Sequence, residues 1–148
     1  MMIAVLIILV LALDQITKFI IRANFSIGQT LPVIPDILHI TYVQNRGAAF
    51  SLFRNMPIMT VLLPICMVIG CLVVGVYLYR KSQRVPALLL ALVAAGGIGN
   101  LVDRLCLGYV TDMIDFRVFP VFNVADIAVT LGCVLLLIWI LKSDREVE

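Results

Sequence analysis

Four long apolar stretches dominate the hydropathy pattern of the chain. They cover Met1–Ile21, Met56–Tyr79, Pro86–Val102 and Ile127–Leu141, and only the first contains charged residues, Asp14 and Lys18. A helix needs about 20 apolar residues to cross the hydrocarbon core of a bilayer. We therefore predict an all-α membrane protein, a single domain over 1–148, with four transmembrane helices at about 1–21, 56–79, 86–107 and 123–142.

Two other interpretations of these apolar stretches are disfavoured. A soluble helical bundle would show a polar stripe along each helix, and 56–79 shows none. A cleaved signal peptide would have basic residues before its apolar stretch and a small-residue cleavage site after it. The stretch 1–21 has neither feature, so we expect it to be a retained membrane span.

Basic residues suggest the orientation in the membrane. The turn between the second and third helices, "RKSQR" at 80–84, carries three positive residues and no acid. The positive-inside tendency places this turn in the cytoplasm, and with four spans both termini then lie there as well. The other half of the molecule also holds six basic residues, so this orientation requires that those six be paired or functional.

The segment between the first two helices, about 22–55, has a different pattern. Apolar and polar residues alternate through 38–43, which is the period of a strand with one apolar face. Asn45, Arg46 and Gly47 follow and favour a turn. We expect a small extracytoplasmic β-hairpin or cradle here, with its apolar side on the membrane surface.

Composition excludes several classes of function. The chain is 63% hydrophobic, above the roughly 45–50% of soluble domains, and its net charge of +2 suggests no nucleic-acid partner. The cysteines form no CxxC motif, and His39 is the sole histidine, which makes a poor zinc site. We expect no metal and no cofactor. The four cysteines, which we interpret as small apolar side chains, are Cys66, Cys71, Cys106 and Cys133.

Aspartates are concentrated in one half of the predicted bundle. Charged groups at membrane depth are costly and usually face the bundle interior, so they are candidates for function. Clustering from three helices and one loop is difficult to explain as chance. The six aspartates before the carboxyl-terminal tail are Asp14, Asp36, Asp103, Asp112, Asp115 and Asp126.

Spacing on the helices refines the candidates. Asn100 lies three and four residues before Asp103 and Arg104, so the three share one helix face. Asp14 and Lys18 are spaced i, i+4 and form either a structural ion pair or part of a site. The neighbours Asp103 and Arg104 could equally be a local pair.

The first turn of the fourth helix holds a further candidate. Asp126 follows Asn123 by three residues, and its charge could merely complement the helix dipole. Asp112 lies among apolar residues, where burial would raise its pKa. Two carboxylates with different pKa values can activate water: one takes a proton from it while the other polarises a carbonyl. Spacing alone does not choose between Asp112 and Asp115 as the first of the pair.

Five motifs together resemble a known family. "LDQITK", "QNRGAAFS", "GGIGNLVDR", "GYVTDMIDF" and "FNVAD" occur in this order between about Leu13 and Asp126. Their identity and order are similar to those of the bacterial lipoprotein signal peptidases, the signal peptidase II family. The resemblance implies a metal-free aspartyl protease of the inner membrane, with four helices and a small extracytoplasmic β-cradle. Such enzymes remove the signal peptide of prolipoproteins just before a diacylglyceryl-modified cysteine.

The resemblance also implies roles for individual residues and an inhibitor. Asp112 and Asp126 match the catalytic aspartates, and the motif match is what favours Asp112 over Asp115. The family is inhibited by the cyclic peptide globomycin. The residues that match positions lining or supporting the site are Asn45, Asn100, Asp103, Arg104, Asn123, Asp14 and Lys18.

Other functions account for fewer of the residues. A small ion-coupled transporter would use carboxylates near the midplane, often with broken helices and internal repeats, and this chain has neither repeats nor acids at that depth. A Ser–Lys protease could use Ser26 or Ser51 with Lys18, but neither serine lies in a nucleophile motif. A structural adaptor would leave the clustered aspartates unexplained.

Overall fold

The computed structural model describes residues 1–47 and 57–145 and contains four long helices and a small sheet. Predictions that concern 48–56, including the second half of "QNRGAAFS", lie outside the described residues. The elements in chain order are α1 (Met2–Asn24), β1 (Thr30–Ile34), β2 (Leu38–Asn45), α2 (Pro57–Arg80), α3 (Arg84–Leu107), β3 (Val110–Asp115) and α4 (Val124–Arg145).

All four helices are long and apolar enough to cross a membrane. Helix α3 is the central one, because 56% of its apolar window is buried against the rest of the protein, compared with 11–17% for the other three. The exposed faces of α1, α2 and α4 are apolar, as expected for helices surrounded by lipid. The predicted fold class is therefore confirmed.

Glycines allow α3 to approach each of the other helices closely. A Cβ atom at Gly96 would collide with the backbone of Ala125 in α4, and one at Gly97 would lie 2.6 Å from Val68 in α2. At Gly99 it would lie 2.5 Å from the Asp14 carboxylate in α1. Small residues at helix contacts are the usual means of close packing in membranes.

The sheet has the order β1-β2-β3 with antiparallel neighbours, and it is attached to the ends of α1, α3 and α4. Ile21 of α1, Tyr42 of β2 and Met113 of β3 form a buried cluster that fixes the sheet against the bundle. The short turn at 81–83 between α2 and α3 connects the opposite ends of those helices. The sheet thus places β3 directly beside the ends of α1 and α3 and the start of α4.

The described hairpin precedes the turn predicted at Asn45–Gly47, and the residues that would form the second side of a hairpin at that turn lie outside the described residues. The described hairpin joins β1 to β2 through residues 35–37, where Asp36 adopts a φ of 60°. The Asn45 side chain makes the hydrogen bond typical of a turn, because its Oδ1 accepts from the Gly47 amide at 3.1 Å. Strand β2 pairs on its other side with β3, a strand that the alternation pattern did not reveal because its residues are buried on both faces.

Candidate active site

Asp112 lies in the middle of β3 with its carboxylate inside the protein. Only 1% of the residue is exposed. Its Oδ1 accepts a hydrogen bond from Asn123 Nδ2 at 2.6 Å, and its Oδ2 accepts one from Asn45 Nδ2 at 3.0 Å. Asn45 reaches Asp112 because it lies two residues after Val43, which is the direct partner of Asp112 across the sheet.

Asp126 lies in the first turn of α4, where it and Asn123 cap the helix reciprocally. The Asp126 amide donates to Asn123 Oδ1 at 2.9 Å, and the Asn123 amide donates to Asp126 Oδ2 at 3.3 Å. This arrangement is a capping box. The Asn123 side chain thereby contacts Asp112 and the start of α4 at once, which brings the two predicted aspartates to the same place.

Asn100 connects Asp126 to the interior of the bundle. Its Nδ2 donates to Asp126 Oδ1 at 2.8 Å, and its Oδ1 accepts from Asn123 Nδ2 at 3.0 Å and from Lys18 Nζ at 2.9 Å. Two donors on the same oxygen determine which way the amide is turned. The nitrogen of Asn100 must therefore face Asp126.

Lys18 is fully buried among oxygen atoms at the base of this network. Its Nζ forms an ion pair with Asp14 Oδ2 at 2.9 Å and a longer one with Asp103 Oδ2 at 3.5 Å. Asp14 also accepts a hydrogen bond from the Ala125 amide at 2.9 Å, near the start of α4. The predicted Asp14–Lys18 pair is present, and it additionally joins α1 to α3 and α4.

Asp103 does not form the local ion pair with Arg104 that its sequence position suggested. Its carboxylate pairs with Lys18 and, at 3.5 Å, with Arg22, and it accepts a hydrogen bond from the Thr111 amide at 2.8 Å. Adjacent helical residues point in different directions, so Asp103 faces α1 and β3. The partly exposed Arg104 acts electrostatically on Asp126, Asp112 and Asp103.

Asp115 lies on the opposite face of β3 from Asp112, because side chains three residues apart in a strand alternate in direction. Its Oδ2 accepts from Thr41 Oγ1 at 2.7 Å, and its Oδ1 accepts from the Arg117 amide at 2.8 Å. The structure therefore separates Asp115 from the Asn100–Asn123 network and places Asp112 within it.

Two supporting residues were missed in the sequence. Arg22 donates to Thr111 Oγ1 at 3.1 Å and pairs with Asp103. It lies one turn beyond Lys18, so the i, i+4 series from Asp14 could have revealed it. Gln15 donates to the Gly99 carbonyl and to Asp14, each at 3.1 Å, and the sequence carried no signal for it.

An open groove of about 620 Å³ gives access to Asp112. Strand β2 forms one wall through Tyr42, Val43 and Asn45, and Pro120 lies among the other lining residues. An extended peptide could lie in this groove with a backbone carbonyl beside Asp112.

Comparisons with known proteins identify the family of the chain. The family model described as signal peptidase (SPase) II matches residues 6–142, which is nearly the whole chain. The chain belongs to the signal peptidase II family. The family resemblance drawn from the five motifs is thereby confirmed.

Individual members of the signal peptidase II family are similar over most of their length. A lipoprotein signal peptidase of Moorella thermoacetica is 43% identical over 129 residues, covering 86% of this chain and 85% of the relative. One of Streptococcus thermophilus is 42% identical over 145 residues, covering 97% and 94%. A solved bacterial membrane enzyme superposes with a TM-score of 0.88 at 31% identity, covering 99% of this chain and 92% of that one. This signal peptidase II family member is a multi-pass membrane protein.

The two aspartates of β3 have opposite ionisation behaviour in this signal peptidase II fold. Burial and, to a smaller extent, the negative charge of Asp126 raise the pKa of Asp112 to about 7, although the amides of Asn45 and Asn123 favour its ionised form. The hydrogen bond from Thr41, followed by that from the Arg117 amide, lowers the pKa of Asp115.

This contrast predicts opposite pH dependences of stability for two matched variants. The folded protein keeps the proton of Asp112 up to about pH 7, whereas an aspartate in the unfolded chain has a pKa of about 3.9. Between these two pH values the folded state binds more protons than the unfolded state, so wild type loses stability as pH rises. We expect the stability of Asp112→Asn relative to wild type to rise by roughly 1.4 kcal/mol for each pH unit in this window. Thermal unfolding in mild detergent between pH 4.5 and pH 8 measures the difference.

Asp115→Asn provides the contrast. Because the folded pKa of Asp115 is lowered, its carboxylate stabilises the fold above the unfolded pKa and loses that effect as pH falls through the folded value. We expect Asp115→Asn to be less stable than wild type at neutral pH and to approach it in acid. Equal pH dependences for the two variants would contradict the assignment of the raised pKa to Asp112.

Proposed function

We propose that this protein is an intramembrane aspartyl endopeptidase that removes the signal peptide from diacylglyceryl-modified prolipoproteins, cleaving just before the lipidated cysteine. The observation that carries the proposal is the pair Asp112 and Asp126, joined through Asn123 beside an open groove. Membership of the signal peptidase II family and the resemblance of the motifs support both the substrate class and the choice of these two aspartates.

The proposed reaction uses one proton shared by the two aspartates. The ionised carboxylate takes a proton from water, the water oxygen attacks the scissile carbonyl carbon, and the protonated carboxyl gives its proton to the carbonyl oxygen. The tetrahedral intermediate then breaks at the C–N bond. The first carboxyl gives its proton to the leaving amine, and the second carboxylate takes one back from a hydroxyl of the intermediate, so the pair again holds one proton. A pKa of about 7 for Asp112 suits a pair that holds one proton near neutral pH.

The neighbouring residues hold this pair in position. Asn45 and Asn123 orient Asp112, and Asn100 orients Asp126. Lys18, with Asp14 and Asp103, fixes Asn100 and the start of α4. The Arg104 guanidinium supplies positive charge near the oxyanion that develops during attack.

The test is cleavage of a purified precursor in detergent with EDTA present throughout. We expect mass spectrometry to show a new amino terminus at the diacylglyceryl-cysteine. The same precursor with an unmodified cysteine should react at least about tenfold more slowly. We also expect globomycin to block the reaction. Cleavage of neither precursor by well-folded protein, or loss of activity in EDTA, would contradict the proposal.

We also propose that both termini lie in the cytoplasm of the bacterium and that the site lies near the outer face of its cell membrane. The basic residues at the α2–α3 turn, Arg80, Lys81 and Arg84, support this orientation. At the other end of the bundle Lys18, Arg22 and Arg117 are paired with aspartates, so their charges count less against it.

Two matched serine replacements test the orientation. In a cysteine-free background, Ser26→Cys lies at the sheet end and Ser82→Cys in the α2–α3 turn, and both positions are exposed. We expect a membrane-impermeant maleimide to label the first in intact cells and the second only after permeabilisation. The reverse pattern would invert the orientation.

A further inference from the structure

A second groove of about 250 Å³ lies beside Asp126, between α4 and the loop at 116–122. We call this loop the aromatic loop, because Phe122 stacks on Phe116 at 5.9 Å and meets Phe119 edge-on at 6.0 Å between ring centroids. The residues that line this second groove are Phe119, Phe122, Asp126, Ile127, Thr130 and Leu131.

The aromatic loop separates the second groove from the groove that holds Asp112. Pro120 and Val121 of the loop line the first groove, whereas Phe119 and Phe122 line the second. Asp112 lines the first groove and Asp126 lines the second. A molecule bound at the two aspartates can therefore extend in both directions from them.

The second groove opens towards the lipid. Leu131, on its wall, is 49% exposed, and Val134, Leu135 and Ile138 continue the same exposed apolar face along α4. Phe119 is 63% exposed at the other wall. Since α4 is long and apolar enough to span the bilayer, this face meets acyl chains rather than water.

The walls suit an acyl chain better than a peptide. Among the lining residues only Asp126 and Thr130 carry polar side chains, and Asp126 already accepts hydrogen bonds from Asn100 and Asn123. An extended peptide segment needs a partner for each buried N–H and C=O, which these walls do not provide. A hydrocarbon chain needs no such partner.

We propose that the second groove binds an acyl chain of the diacylglyceryl group on the substrate, which makes it a specificity site. The inference rests on the proposed function. Cleavage just before the lipidated cysteine puts the cysteine sulfur and its glyceryl group only a few bonds from the scissile peptide bond, and therefore close to Asp126. The first groove then holds peptide, and the second holds lipid.

The experiment compares two precursor peptides that differ only in their acyl chains, hexanoyl or palmitoyl, using wild type and variants in nanodiscs. Thr130→Trp fills the groove, and Leu137→Trp is the matched control, two turns further along α4 and 57% exposed. Each methylene lost from an apolar site weakens binding about fourfold. We expect Thr130→Trp to raise KM for the palmitoyl precursor by about tenfold or more, with kcat and the hexanoyl KM changed by less than about twofold.

A second variant keeps the proposal testable if Thr130→Trp does not fold. Phe119→Ala shortens the exposed wall, and we expect it to reduce the preference of the enzyme for palmitoyl over hexanoyl precursor. The inference would be overturned by equal effects of Thr130→Trp on both precursors, by equal effects of the two tryptophan variants, or by the absence of a chain-length preference in wild type. The groove would then be a binding site for membrane phospholipid. Wild-type cleavage of either precursor establishes the proposed function separately, so the two failures are distinguishable.

Discussion

We expect Asp112→Asn and Asp126→Asn each to lower kcat for a lipidated precursor by about 10⁴-fold. Each variant removes one of the two groups between which the proposed mechanism moves protons. Asparagine keeps the shape of the side chain but cannot take a proton from water or give one to the carbonyl oxygen. The two other carboxylates of the network, Asp14 and Asp103, cannot replace it, because Asp103 pairs with Lys18 and Arg22 and Asp14 pairs with Lys18.

Asp115→Asn is the matched control on the same strand. Its carboxylate faces Thr41 and Arg117, away from Asn123, so we expect kcat to change by less than about fivefold. Initial rates with EDTA present, together with thermal unfolding of each variant, separate catalysis from stability. Loss of activity in Asp115→Asn with retention in Asp112→Asn would transfer the role to the other face of β3.

We expect Lys18→Met to reduce the free energy of unfolding by about 3–5 kcal/mol. The Lys18 ammonium is fully buried between Asp14 and Asp103, and its removal leaves buried negative charge without its cation. The Asn100 oxygen loses a donor as well, so its amide is less firmly turned towards Asp126 and kcat should also fall. Unfolding by sodium dodecyl sulfate in mixed micelles measures the stability change.

Two further variants make the Lys18 prediction specific. Lys81→Met removes an exposed ammonium that lies 5.9 Å from the Tyr77 ring centroid, and we expect a change of about 0.5 kcal/mol or less. The double variant Asp14→Asn with Lys18→Met should recover part of the loss, since it removes one unpaired carboxylate and Asn keeps an oxygen for the Ala125 amide. Equal losses for Lys18→Met and Lys81→Met would show that the buried cation is not needed.

The four spans were predictable because their cause is local. A helix in lipid satisfies its own backbone, so length and apolarity within one stretch are sufficient to indicate it. The same holds for pairs within one helix: Asp14 and Lys18 at i, i+4, and Asn123 and Asp126 at the two ends of a capping box, follow from helix geometry. The family motifs added the choice of Asp112 and Asp126, which no spacing rule supplied.

The tertiary structure decided the features that depend on which segments meet. Strand β3 exists because β2 and the ends of α1 and α3 bury it, and its apolar neighbours carried no alternation by which to recognise it. Its pleat places Asp112 and Asp115 on opposite faces, and the packing of α1 against α3 gives Asp103 the partners Lys18 and Arg22 in place of Arg104. The sequence alone determined the spans and the chemistry of the candidate residues, because both are properties of single segments. Only the fold determined which carboxylates share the Asn100–Asn123 network, because that depends on contacts between residues far apart in the chain.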